Sequence, residues 1–447
     1  MRLSCIRPAN QLRATELGAA DAPCYHPGVT SPRKAARTAC FQPDEYKNLA
    51  LFANRSDQLE ELTGTLHAYL ESGAPGKGCI LVRGHRGVGK SMLTRRAIES
   101  VRATHGPLTV VVDGARAGHG PEAFLRQLAK DLAQETLENV TKPVLGQAAE
   151  LLLRFAGATD VSVKQAQEWT QTVKLGLTIQ HKFVDLIGFE FGLARAAGKS
   201  RKLEETYQRK VDAELLRELI QALVYDCHEE KQRVVLLLDN LDQVGYAEIE
   251  EDVRRVTDLA RYLFGLEGCL LVASMRSEFV SADLLKLSSQ PIEVSALDSR
   301  ALMEIFDQRV ARRGPGARTN LEEAGLVTIA RTLSTWTGNA WAFLSWLAYL
   351  DFQSINFDPE DQAALRAMLR RFAAQTYTGV RAEELDELVE PYRMHQARPF
   401  LTGDELSADG IPNELIERAK RYGVLVPDWL LSPDRYQLAP TLCFLLG

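Results

Sequence analysis

Cys79-Ile80-Leu81-Val82-Arg83-Gly84-His85-Arg86-Gly87-Val88-Gly89-Lys90-Ser91 is the stretch from which the fold is read. Its first four residues form an unbroken apolar run, the mark of a strand covered on both faces. Its last eight keep the spacing Gly-x-x-x-x-Gly-Lys-Ser of a phosphate-binding loop. They also stand where such a loop must stand, after a strand and before a helix. The glycines let the backbone curl so that successive amides point at one centre, and the helix adds its positive end. Gly84, His85, Arg86, Gly87, Val88, Gly89, Lys90, Ser91 and Met92 are therefore expected to bind ATP. Lys90 reaches the β- and γ-phosphates, and the Ser91 hydroxyl serves Mg²⁺.

Working outward, Leu108-Thr109-Val110-Val111-Val112 reads as a second buried strand ending at Asp113-Gly114. Residues 233–238 and 269–273 read as a third and a fourth, and 291–294 as a fifth. Helical stretches separate them, which predicts an α/β fold with a parallel three-layer core. The third strand ends at Asp239, an acid well placed for a metal, so Ser91 and Asp239 are the expected Mg²⁺ ligands. The next residue is Asn240, which cannot accept a proton. Asp242 is then the candidate for activating water, against its reading as a solvated loop acid, and slow hydrolysis is expected. The fourth strand ends at Ser274-Met275-Arg276-Ser277. Arg276 is read either as a cation for the γ-phosphate or as a surface arginine paired with Glu278.

Four regions are expected: a basic, flexible tail over 1–43, a nucleotide core over 44–295 with an insertion at 138–205, a helical lid over 296–375, and a winged helix over 376–447. The tail carries six Lys/Arg against two Asp/Glu. A helix with Leu59, Leu62, Leu66, Tyr69 and Leu70 on one face opens the core, with Ser56 as its cap. In the insertion, Val173 to Leu193 alternates apolar and polar residues among three glycines and predicts hairpin strands. At the C-terminus, short helices at 401–406 and 413–422 precede a hairpin whose turn is expected at Asp434-Arg435.

Composition bounds the function. With 45% hydrophobic and 25% charged residues the chain builds a substantial core. A net charge of −6 argues against a globally basic nucleic-acid coat. The seven cysteines include no Cys-x-x-Cys pair, so zinc and redox motifs of that kind have no support, and Cys79 and Cys269 read as core residues. Without an apolar run of about 18 residues or an apolar secretory leader, a cytoplasmic protein is expected.

The motif order resembles a family. Phe52-Ala53-Asn54-Arg55, then GHRGVGKS, VVLLLDNLD and LLVASMR, then Trp336-Thr337-Gly338-Asn339-Ala340-Trp341 and a winged helix, is similar to the AAA+/STAND branch of P-loop ATPases. The likeness spans roughly residues 50–447. It implies that Phe52 and Arg55 pack near adenine, that Arg276 senses the γ-phosphate, and that the Thr-Gly-Asn stretch belongs to the lid. Trp341 stands where initiator ATPases place a sensor arginine. Lys286 falls where a trans-acting arginine finger is expected, and Arg254, Arg255 and Arg261 are alternatives. Two functions follow. The first is an ATP-dependent switch or assembly factor, as a homo-oligomer or with a separate effector chain, in a setting such as bacterial antiviral defence. The second is a DNA-binding initiator, loader or transposition-associated ATPase. The second terminal helix mixes Arg418, Lys420 and Arg421 with Glu414 and Glu417, so DNA contact stays open.

Overall fold

The computed structural model describes residues 41, 54–72, 79–114, 116–117, 120–162, 164–166, 168–169, 182–190, 208–243, 249–311, 323–353, 358, 360–377, 379–395, 398, 400–428 and 432–446. At its centre lie β1 (Cys79–Gly84), β2 (Leu108–Asp113), β5 (Val234–Asp239), β6 (Cys269–Arg276) and β7 (Ser288–Glu293), in the order β2-β5-β6-β1-β7. All four pairings are parallel. The fifth strand thus starts earlier than its apolar residues suggest, and it closes the edge beside β1. A short antiparallel pair, β3 (Asp160–Ser162) with β4 (Gln208–Lys210), stands apart from this sheet.

Alternation explains why the strands read as continuous apolar runs. Cys79 and Leu81 enter the core on one face of the sheet, Ile80 and Val82 the core on the other. The second face is covered by α1 (Ser56–Ser72) and α2 (Lys90–His105) through Leu62, Leu66, Leu93, Ala97 and Val101. The first face is covered by α3 (Pro121–Asn139), α4 (Pro143–Gly157), α5 (Lys182–Glu190), α6 (Ala213–Glu229), α7 (Ile249–Phe264) and α8 (Ala282–Leu287). Cys79, Cys227 and Cys269 are free and buried, and burial pushes the Cys227 and Cys269 thiols up to about 12. This is the three-layer parallel architecture of P-loop NTPases.

Two local expectations change. The Leu59 amide bonds the Arg55 carbonyl, so Ser56 lies inside the first turn of α1 and Arg55 occupies the boundary. Within Val173–Leu193, residues 182–190 form helix α5 rather than a strand, and 173–181 and 191–193 lie outside the described residues. Phe183 and Ile187, four apart, are both fully buried. The amides of Lys182 and Phe183 donate to the Asp226 carboxylate at 3.3 Å each, tying the start of α5 to α6. Burial at a spacing of four decides for the helix over the two-residue alternation. The insertion also helps build the main core, through Leu145, Leu152, Phe155, Phe183 and Ile187.

The C-terminal third begins with α9 (Ser299–Ala311), α10 (Glu323–Trp336), α11 (Ala340–Gln353) and α12 (Gln362–Thr376). It continues with α13 (Ala382–Met394), β8 (Leu401–Thr402), α14 (Gly403–Ala408), α15 (Asn413–Arg421), β9 (Leu425–Asp428) and β10 (Ser432–Leu438), and β10 lies between β8 and β9. Asp434 and Arg435 lie within β10, so the connection between the last two strands falls at 429–431, outside the described residues. The four helices and the terminal module share one hydrophobic cluster, from Leu302 and Trp346 to Tyr436 and Leu445. A further member of that cluster is Phe41, fully buried and stacked on Phe306 with centroids 5.9 Å apart and planes within 2°. Phe41 falls within the stretch expected to be a flexible tail, and the rest of that stretch lies outside the described residues. Phe41→Ala should destabilise the protein by about 3 kcal/mol, read as a lower midpoint in thermal unfolding. An unchanged midpoint would mean that the ring contributes nothing to the cluster.

Candidate functional site

Gly84, Asp239, Asp113 and Arg276 come together because parallel pairing brings the carboxyl ends of four strands to one edge. The register aligns Gly84 with Arg276, and Asp113 with Asp239. Ligands of open α/β sheets bind at this edge.

The loop after β1 takes two left-handed residues, Gly87 at φ 82° and Gly89 at φ 100°. A side chain at Gly87 would also collide with the lid, because its Cβ would run into the Asn339 Oδ1. Gly89 turns the chain into α2, whose first residues are Lys90 and Ser91. Lys90 is 8% exposed, and its ammonium donates to the carbonyls of Gly84 at 2.8 Å and His85 at 2.9 Å. It hangs across the loop, where phosphate oxygens would replace carbonyls as acceptors.

Ser91 Oγ donates to Asp239 Oδ1 at 2.7 Å, and Ser274 Oγ to the same oxygen at 2.5 Å. Asp239 is fully buried, and burial raises its carboxyl pKa above the ordinary range against the lowering effect of both hydroxyls and of Arg95. Arg95, one turn beyond Ser91, reaches Asp239 Oδ2 at 3.5 Å. A buried carboxylate beside a hydroxyl at the mouth of a phosphate loop is a hard oxygen pair that fits Mg²⁺. Sequence reasoning misses the roles of Ser274 and Arg95. The i, i+4 spacing of Ser91 and Arg95 is the signal that could have found the second.

Asn240 sits at φ 51° and donates from Nδ2 to Asp113 Oδ1 at 2.9 Å. Its amide nitrogen bonds Ser274 Oγ at 3.2 Å. The Asp113 side chain is 12% exposed and has Arg116 at 3.5 Å. The Asp242 side chain, 2% exposed, spends both oxygens on Arg276: Oδ1 accepts from the backbone amide at 3.1 Å and Oδ2 from Nε at 2.5 Å. The Arg276 guanidinium also lies 4.5 Å from the Phe279 ring centroid. Arg276 and Asp242 therefore form a pair with each other at the strand edge.

Arg55, 7% exposed and at φ 69°, donates from one nitrogen to the carbonyl of Val88 at 2.9 Å and to that of Ser295 at 2.6 Å. It clamps the phosphate loop to the segment that leads from β7 toward the lid, and burial lowers its pKa to about 10. Phe52, expected near it, lies outside the described residues.

The lid meets the loop at the start of α11. Asn339 caps this helix by accepting the Ala342 amide at 3.0 Å, and its Nδ2 bonds the Arg86 carbonyl. The Trp341 amide donates to the Gly87 carbonyl at 3.2 Å. The Arg86 guanidinium lies 5.5 Å from the Trp341 ring centroid. The Trp341 indole thus faces a cation supplied by the loop itself. From the terminal module, Gln437 Nε2 lies 3.2 Å from His85 Nδ1.

The finger candidates lie elsewhere. Lys286 is exposed on α8, which leads into the amino end of β7, opposite the loop. Arg261 pairs with Asp283 at 2.7 Å. The side chains of Arg254 and Arg255 lie outside the description.

Residues 51–264, just under half of the chain, match the family model of the AAA ATPase domain. No curated protein matches the chain. Among solved structures, the ORC1 protein of Aeropyrum pernix in complex with DNA is 14% identical over 91% of this chain and 94% of that one, with a TM-score of 0.42. The Walker-type ATPase of Pyrococcus abyssi is 15% identical over 91% and 99%, with a TM-score of 0.41. Drosophila ORC bound to DNA is 12% identical over 97% and 95%, with a TM-score of 0.39. Likeness at this distance assigns no ligand to this chain. Among the described residues no helix is long and apolar enough to cross a membrane.

Proposed function

We propose that this chain binds ATP with Mg²⁺ and hydrolyses it slowly, its lid and winged-helix module reading the state of the phosphate loop as a switch for assembly. The observation that carries the reading is the 2.7 Å contact between Ser91 Oγ and Asp239 Oδ1 at the loop whose carbonyls hold the Lys90 ammonium. Ser91 and Asp239 would hold Mg²⁺, whose charge offsets that of the terminal phosphates. Lys90 and the loop amides would grip the phosphates. Arg276, fixed in place by Asp242, is the cation for the γ-phosphate.

The activating acid is read from access to water. Asn240 carries no basic oxygen suited to accept a proton, and Asp242 has both oxygens engaged by Arg276. Asp113, oriented by the Asn240 amide at Oδ1 and 3.5 Å from Arg116 at Oδ2, is the more open of the two to water, its side chain being 12% exposed against 2% for Asp242. We assign Asp113 to polarising the attacking water and Asp242 to positioning Arg276.

The switch uses Asn339 and Trp341, which bond the carbonyls of Arg86 and Gly87 within the loop. Phosphates that reshape the loop would alter those bonds and hence the seat of α11. The terminal module, which we read as a winged helix closing the described chain, reports through Gln437 on His85. Its helix α15 is a poor DNA reader, because Arg418 is bound to Glu384 at 2.6 Å and Lys420 to Glu417 at 2.5 Å. The nucleotide-dependent partner would be a second copy or a separate effector chain, with cytoplasmic antiviral defence as the setting.

Solution mass with ADP and with a non-hydrolysable ATP analogue tests the switch. The expected result is a change of assembly state between the two nucleotides that Asn339→Ala abolishes. Identical mass with both nucleotides, together with duplex DNA binding that weakens steeply with salt, would establish the initiator reading instead.

A further inference from the structure

We infer that His67, Glu71 and His105 form a binding site for a zinc-class divalent ion, at the end of α1 and α2 remote from the phosphate loop. One ligand atom from each of the three side chains lies within 4.8 Å of the others. His67 and Glu71 are four residues apart on α1, so they project from one face a turn apart. His105 is the last residue of α2.

His67 Nδ1 and His105 Nε2 approach to 2.7 Å, with ring centroids 4.8 Å apart and planes at 64°. Two imidazole nitrogens this close share at most one proton. A metal ion replaces that proton and engages both lone pairs. Zn–N bonds of about 2.0–2.1 Å in tetrahedral geometry set the two nitrogens about 3.3 Å apart. Small rotations of surface side chains supply the extra separation and bring in a Glu71 oxygen.

The donor set selects the metal class. Two imidazoles and one carboxylate suit zinc and its neighbours in the first transition row, with water in the fourth position. Calcium and magnesium prefer oxygen ligands throughout. The carboxyl end of α2 also carries the partial negative charge of the helix dipole, which favours a cation beside His105. The competing local cation, Arg102, is held by Glu135 at 3.0 Å.

The ion would join the carboxyl ends of the two helices that cover one face of the sheet. At about 1.5 Å per residue, the 15 steps from Lys90 to His105 along α2 put it roughly 22 Å from the ammonium's residue. It therefore acts on the packing of α1 against α2 and touches no nucleotide.

Full-length protein stripped with chelator and titrated with Zn²⁺ by calorimetry tests the site, with Co²⁺ as a visible-absorption probe. The expected result is one Zn²⁺ per chain and a rise in melting temperature of about 2 °C or more under saturating zinc. His67→Ala and His105→Ala should each remove that uptake while keeping the melting temperature of the metal-free parent and its ATP affinity. No zinc uptake by the parent, or unaltered stoichiometry in both variants, would overturn the site. Because ATP affinity is measured in parallel, these outcomes are independent of the proposed nucleotide function.

Discussion

Asp113→Asn should lower the turnover of ATP by about 100-fold or more, the usual worth of a positioned acid or base, while leaving ATP affinity near that of the parent. The substitution is close to isosteric. The carbonyl oxygen of the substituted side chain can still accept the Asn240 amide that donates to Oδ1 at 2.9 Å, so the strand ends keep their arrangement. What disappears is the capacity to draw a proton from water. Single-turnover hydrolysis of labelled ATP separates this step from binding and product release. Asp242→Asn is the control: it should perturb Arg276 and weaken discrimination between ATP and ADP without an equal loss of turnover. If Asp242→Asn lost turnover and Asp113→Asn retained it, the two carboxylates would have to exchange roles.

Lys90→Ala should weaken ATP binding by about 100-fold or more, because it removes a mostly buried ammonium from the phosphate cradle. Truncating one partner of a buried charge pair costs about 2–5 kcal/mol, and each 1.4 kcal/mol is tenfold in affinity. The ammonium's partners include two loop carbonyls, which are neutral acceptors, so thermal stability without nucleotide should change little. Calorimetry with ATP and unfolding without it give the two readouts. Intact ATP affinity would reduce the glycine loop to a turn and remove the basis of the proposed function. A large loss of stability alone would assign Lys90 to holding the loop together.

The nucleotide core was largely legible because its signals are local. Four apolar runs and the segment at 291–294 mark the five strands of the sheet, and the glycine spacing marks a loop with left-handed residues at Gly87 and Gly89. The pattern failed where two periods competed. Around Phe183 the alternation of apolar and polar residues admits a strand, and only burial of Phe183 with Ile187 selects the helix. The terminal hairpin is legible in the sequence, but its turn falls before Ser432 and not at Asp434-Arg435. Asp434 and Arg435 suggest a turn from their polarity, yet Arg435 pairs with Thr402 of β8 inside the sheet.

The sequence by itself determined the phosphate loop and its strand-and-helix context, for both depend on residues within a dozen positions of one another. It also determined that an acid would end the third strand and that the position after it would lack one. Tertiary structure decided which groups face each other there. Asp113 meets Asn240, 127 residues away, because β2 pairs with β5 in a register that aligns Asp113 with Asp239. The same holds for Asp242 on Arg276, Asn339 on the Arg86 carbonyl, and Phe41 on Phe306. Each contact joins segments whose approach is fixed by packing and strand register, and neither is a property of any single stretch of chain.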